Sequence, residues 1–316
     1  GQVTLSADDI TFGEDAEINA RSLGEGFLDP ASWAQTIAQG DQAAVTAAEI
    51  PVEVLLEMAD YQPPQITIEA KHKVELTGKL DVSSLNHDGG TLTIKADAAQ
   101  FIDIELTAAR SVATGGLIEI ESNTTYLDNA LIDVSGTVKA GQVFMSAPQP
   151  EVPAMPTAPP EPVPVPAPAP NPSSLLIQKT SITATSRRGE GGRGGNVTLT
   201  ADTIDLTKTD IMATGDIAGG NIKIGGDWQG QGNLPQAITV TIDQDSTLDT
   251  SAITNGNGGM IVVWSDITNP QGRTIALGTL ISEGGKQGGD GGLIETSGYD
   301  LKVDGITIST KANEAA

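Results

Sequence analysis

The 316-residue chain carries 41 acidic against 17 basic residues, a formal net charge of −24, so its field repels nucleic acid and anionic membranes and excludes DNA and RNA as partners. Only 3% of residues are aromatic and none is cysteine, which removes disulfides, thiolate metal sites and thiol catalysis and leaves small and β-branched side chains to build a core of strands. No apolar run of about eighteen residues exists to span a bilayer as a helix.

The chain opens on "GQVTLSA" at Gly1, where glycine precedes an alternating string of β-branched and polar residues. This start has no signal-peptide pattern and reads as a fragment of a longer chain. A first interruption follows from Phe27 to Pro64, where Asp29 caps a helix, Pro30 fits its first turn, Trp33 and Ile37 share a face and Gly40 ends it. This helical insertion, at about 27–64, is expected to pack on a flank or cover a strand edge, with a partner-binding groove as the alternative.

The opening phrase then recurs as "GGTLTIKA" at Gly89, "GGLIEIES" at Gly115 and, in a weaker copy, "GQVFMSA" at Gly141. A second alternating string, such as Ile102, Ile104 and Leu106, lies between them and puts its apolar residues on one face, as a half-buried strand does. A second interruption, "APQPEVPAMPTAPPEPVPVPAPAPNPSS" at 147–174, carries proline at almost every second position and cannot join a strand ladder. At about 3.1 Å per residue it reaches on the order of 90 Å, as a polyproline II spacer between two rods, a strap on one continuous rod, or a docking ligand.

After it the phrase returns as "GGNVTLTA" at Gly194, "GGNIKIGG" at Gly219, "GGMIVVWS" at Gly258 and "GGLIETSG" at Gly291, with Ile204, Leu206 and Ile211 in an intervening string. Starts lie about 25 residues apart where nothing is inserted, the range of repeats that bury a face only by stacking. The pattern predicts an all-β parallel β-helix, with coils at 1–146 and 175–316. Its glycine pairs fall where corners need positive φ or close backbone approach. The alternative, calcium bound by glycine-aspartate loops, is carried by the single irregular stretch "GGKQGGDGGLIETSG" at Gly284.

Residues of chemical interest are few. Asp205, Asp210, Asp227, Asp243, Asp245 and Asp249 fall on outward strand positions or turns, and His72 and His87 have no metal-ligand spacing. No catalytic, cofactor-binding or metal-binding residue is assigned. Arg187, Arg188 and Arg193 form the densest basic patch, a solvated loop or a contact for an acidic glycan. Trp228, in a polar glycine loop, is a candidate sugar-stacking platform, whereas Trp264 follows an apolar run and is expected to pack in the core or at a coil end.

The blocks "IGGDWQGQGNLP" from Ile224, "STLDTSAITNGNGGMIVVWSD" from Ser246, "TLISEGGKQGGDGGLIETSG" from Thr279 and "LKVDGITIST" from Leu301 resemble, in order, those of filamentous haemagglutinin-like exoproteins of two-partner secretion systems. The resemblance covers roughly Gly194 to Thr310. It implies a right-handed parallel β-helical rod, exported through an outer-membrane partner and placed on or released from a Gram-negative cell surface. The secretion domain of such systems is expected outside this sequence. Three functions follow as expectations: a noncatalytic structural or adhesive fibre segment touching host, neighbouring cells or matrix; a self-assembling filament or sheath subunit; and a β-helical polysaccharide-active enzyme, which needs clustered charged side chains in a groove.

Overall fold

The structure is a computed structural model that describes residues 1–13, 16–20, 63–84, 87–109, 114–147, 172–186, 189 and 191–313. The helical insertion expected at about 27–64 lies outside the described residues except for Pro63 and Pro64, and the proline-rich segment lies outside them except at its ends. Arg187 and Arg188 also lie outside them.

The described chain winds into nine coils. The first holds β1 (Gln2–Thr11) and β2 (Glu17–Asn19), the second and third are single long strands, β3 (Gln65–Asp81) and β4 (Thr91–Thr107), and the fourth holds β5 (Leu117–Asp128) and β6 (Leu131–Asp133). From the fifth onward each coil has three strands: β7 (Gln142–Ser146), β8 (Ser174–Gln178) and β9 (Ser181–Thr183), then β10 (Asn196–Thr200), β11 (Thr203–Thr207) and β12 (Asp210–Met212). The seventh has β13 (Asn221–Ile224), β14 (Thr239–Ile242) and β15 (Thr247–Asp249); the eighth, β16 (Met260–Trp264), β17 (Arg273–Ala276) and β18 (Thr279–Ile281). The ninth has β19 (Leu293–Ser297), β20 (Asp300–Lys302) and β21 (Thr307–Ser309).

Every strand pairs in parallel with the strand one coil away, which makes three continuous faces. Alternation within each strand turns every second side chain inward, and the parallel register stacks those side chains in columns. One column runs Ile66, Leu92, Ile118, Val143, Val197, Ile222 and Ile261, all essentially without solvent exposure. On the third face Leu80, Leu106, Ile132, Ile182, Ile211, Leu248 and Leu280 do the same. Each buried aliphatic side chain contributes about 1.5–3 kcal/mol relative to exposure, so the poverty in aromatics is met by many small stacked contributions. Thr274, on an inward position, is satisfied there by Ser265 Oγ at 2.9 Å and by the Ser297 carbonyl at 2.7 Å.

The corners explain the glycine phrases. A β-carbon at Gly116 would lie 2.0 Å from the Gly90 carbonyl oxygen of the coil below, and one at Gly220 would lie 2.0 Å from that of Gly195. Neither glycine has a left-handed φ, so of the two reasons expected for the pairs, close backbone approach is the one that operates here. The Gly220 N–H donates to the Ala213 carbonyl at 2.7 Å, closing its own coil, while the Asn221 N–H donates to the Gly195 carbonyl at 2.9 Å, joining the next. Aspartates end the third face: Asp133 Oδ1 accepts the Ser135 N–H and Asp249 Oδ1 the Ser251 N–H, both at 2.8 Å, a turn in which the side chain replaces a backbone acceptor.

Between the second and third faces the chain turns through left-handed residues that are not glycine. Asp103, Asn129, Lys179 and Lys208 have φ of 51°, 55°, 48° and 50° and occupy the same position in successive coils. Such a conformation costs about 1–2 kcal/mol per residue. Bonds between coils offset it: Asn129 Nδ2 donates to Asp103 Oδ1 at 2.6 Å, and the Lys208 N–H donates to both Asp243 carboxylate oxygens at 3.1 Å.

β7 and β8 stand on either side of the proline-rich segment, and both pair with β5 below while β10 and β11 lie above them. The segment is therefore inserted at one corner of a single coil, and the strands on its two sides belong to one continuous rod. The strands end at Ser146 and resume at Ser174.

Candidate functional site

The phrase "GGDWQGQGNLP" forms an outward loop between β13 and β14. Gly225 (φ 76°) turns the chain away from the rod, and the loop closes where the Ala237 N–H donates to the Gly225 carbonyl at 2.7 Å. Inside it, Asp227 Oδ1 accepts the Trp228 N–H at 2.7 Å and caps a single 3₁₀ turn, Trp228–Gly230. Lys223 Nζ reaches the same carboxylate at 2.7 Å. Partial burial, the largest influence on this carboxyl, works to raise its pKa, but the bonds from Lys223 and the Trp228 N–H prevail and hold it below the ordinary carboxylate value.

The loop packs on the next coil. Val262 and Trp264 point outward by alternation, yet they are 0% and 3% exposed. A β-carbon at Gly226 would lie 2.6 Å from Trp264 Cδ1, and one at Gly230 would lie 2.5 Å from Cζ2, so only glycine lets the loop rest on the indole. Trp264 Nε1 donates to Gln236 Oε1 at 2.9 Å, and the Gln229 N–H donates to Glu295 Oε2 of the ninth coil at 2.8 Å. The loop thus fastens coils seven, eight and nine. Trp264 is buried as expected from the sequence, but under this loop on the outer surface rather than among the inward columns.

Beside the loop lies a cleft of about 460 Å³ on the first face. Its floor has two rows in strand register: Gln142, Asn196 and Asn221, then Phe144, Thr198 and Lys223. Asp227, Asn233 and Leu234 of the loop wall it. Asn221 Nδ2 donates to Asn196 Oδ1 at 2.8 Å. No motif marks this floor in the sequence, but a signal is visible there: in coils five, six and seven the residue directly after the glycine corner carries an amide.

Of the sequence-predicted contact residues, Trp228 is half-buried in the 3₁₀ turn, and Arg193 is exposed at the corner preceding β10, in parallel register with Lys139 of one neighbouring coil and Ala218 of the other. Arg193 stands before a first-face strand and Trp228 after one, so a strand's length, on the order of 15 Å, separates them. The aspartates are dispersed. Asp205 accepts from the Thr207 hydroxyl within β11, Asp243 from Ser246 Oγ and from the Lys208 N–H of the neighbouring coil, and Asp249 from the Ser251 N–H, so each is engaged separately. At Asp290, the aspartate of the calcium-like stretch, the backbone N–H donates to Asn257 Oδ1 at 2.9 Å. Among the described residues no three or more His, Asp or Glu are grouped to hold a metal ion, and no helix is long and apolar enough to cross a membrane.

Parallel three-faced coils, stacked inward columns and a loop fastened over an outward indole define a β-solenoid. Among solved structures, the crystal structure of the HMW1 secretion domain from Haemophilus influenzae is similar over 99% of this chain and 80% of that one, with a TM-score of 0.56 and 19% identity. The likeness is one of fold, and it agrees with the β-helix that the filamentous haemagglutinin-like blocks imply. No family model and no curated protein matches the chain.

Proposed function

We propose that this chain is a structural and adhesive segment of a secreted, cell-surface β-helical fibre, which acts by rigid reach and multivalent contact rather than by catalysis. The observation that carries this reading is the continuous parallel pairing of nine coils, maintained across the proline-rich insertion. At about 4.8 Å per coil they make a rod roughly 40 Å long whose surface repeats at every coil. An array of that kind adds weak contacts into avidity without moving parts. The dispersal of the outward aspartates favours it over the enzyme reading, which needs charged groups converging on one bond.

The fold likeness to a secretion domain and the four haemagglutinin-like blocks support export through an outer-membrane transporter of the two-partner type. On this reading the rod stands outside a Gram-negative cell, against host, neighbouring-cell or matrix surfaces. Trp228, Arg187, Arg188 and Arg193 are its proposed contact residues, and the exposed Lys139 stands in register beside Arg193. Excising residues 65–309 from the full-length protein should lower adhesion of the bacteria that carry it while leaving their growth unchanged. Undiminished adhesion with the shortened protein present on the surface would remove the reading.

A further inference from the structure

We propose that the cleft beside the loop binds a neutral polysaccharide strand laid across coils five to seven, along the axis of the rod. The assignment rests on the contact function proposed above and names its ligand class. Three amide side chains, Gln142, Asn196 and Asn221, stand at the same position of successive coils, about 4.8 Å apart. This rise is comparable with the advance of one pyranose along an extended glycan. Each amide offers both a donor and an acceptor, the complement of a hydroxyl. Asn221 spends one donor and Asn196 one acceptor on each other; Gln142 makes no side-chain hydrogen bond among the described residues, which leaves several groups facing a ligand.

Phe144 lines the floor one row further along and supplies aromatic surface for the C–H face of a sugar ring. Charge selects the ligand further. The ammonium of Lys223 is matched at 2.7 Å by Asp227, so the cleft offers no unmatched cation, and the net charge of −24 repels polyanions at longer range. A neutral chain fits this surface and an acidic one does not.

The test is calorimetric titration of the 316-residue chain with two neutral probes, the β-1,4-linked hexamers of glucose and of N-acetylglucosamine, and with hexagalacturonate as the acidic control. The expected result is saturable binding of at least one neutral hexamer. Asn221→Ala, which removes an amide, and Thr198→Trp, which fills the cleft from a strand position that accepts an aromatic, should each weaken it at least tenfold with the thermal midpoint and far-ultraviolet circular dichroism unchanged. Absence of binding by both neutral hexamers at millimolar concentration, undiminished binding by the well-folded variants, or tighter binding of hexagalacturonate would each overturn the assignment. If neither neutral hexamer binds but adhesion still depends on residues 65–309, the cleft assignment fails alone and the fibre reading stands.

Discussion

Trp264 Nε1 donates across 2.9 Å to Gln236 Oε1, so the indole of one coil is held by a loop that belongs to the coil before it. Gly226 and Gly230 of the same loop pack on the ring, so the loop's glycines serve a tryptophan of the following coil as well as their own. Trp264→Ala should destabilise the rod by about 3–5 kcal/mol through the void left under the loop. Trp264→Phe keeps much of the packing and loses the bond, at a cost of about 1 kcal/mol or somewhat more. Urea unfolding checks the order, and limited proteolysis should show new cleavage between Gly225 and Ala237 in the alanine variant only.

Gly220→Ala forces a β-carbon to within 2.0 Å of a backbone oxygen that cannot swing aside, and it should cost about 3 kcal/mol or more. Gly13, by contrast, has open space where a β-carbon would go and no left-handed φ, so Gly13→Ala should be neutral or stabilise by about 0.5 kcal/mol through the unfolded chain. Thermal midpoints moving together in the two variants would contradict the close-approach account of the glycine pairs.

Lys208 is exposed with φ 50°, a conformation glycine adopts without its steric cost. Lys208→Gly should therefore raise stability by about 0.5–1 kcal/mol, even though glycine usually weakens a structure. Lys302→Gly, within β20, should lower it by about as much. Equilibrium denaturation of the pair checks the opposite signs.

The Asp227 carboxyl is held below its ordinary value of 3.8 in the folded chain. Its contribution is complete above the unfolded value and disappears as pH falls through the lower folded value. Asp227→Asn should be less stable than the parent at pH 7, and the difference should shrink on acidification from about pH 4 downward. Denaturation midpoints measured between pH 7 and pH 2 check this, and a gap that widened in acid would reverse the sign.

Alternation and repeat spacing were enough to make the coil legible. Ile204, Leu206 and Ile211 are inward because period-two strands have only two faces and only one of them is apolar. The glycine pairs marked the corners for the same local reason, since a residue without a β-carbon signals crowding wherever it recurs. What the sequence left open was everything that depends on which coils become neighbours. The burial of Trp264 on an outward position comes from a loop that begins 39 residues earlier, at Gly225. The continuity of the rod across the proline-rich insertion was decided by the shared pairing of β7 and β8 with β5. Gln142, Asn196 and Asn221 form one row only because the register sets them there, although 54 and 25 residues separate them along the chain. Periodicity is a property of each strand and can be read locally; register, and the cleft built from it, is a relation between strands that exists only once the backbone hydrogen bonds between coils have formed.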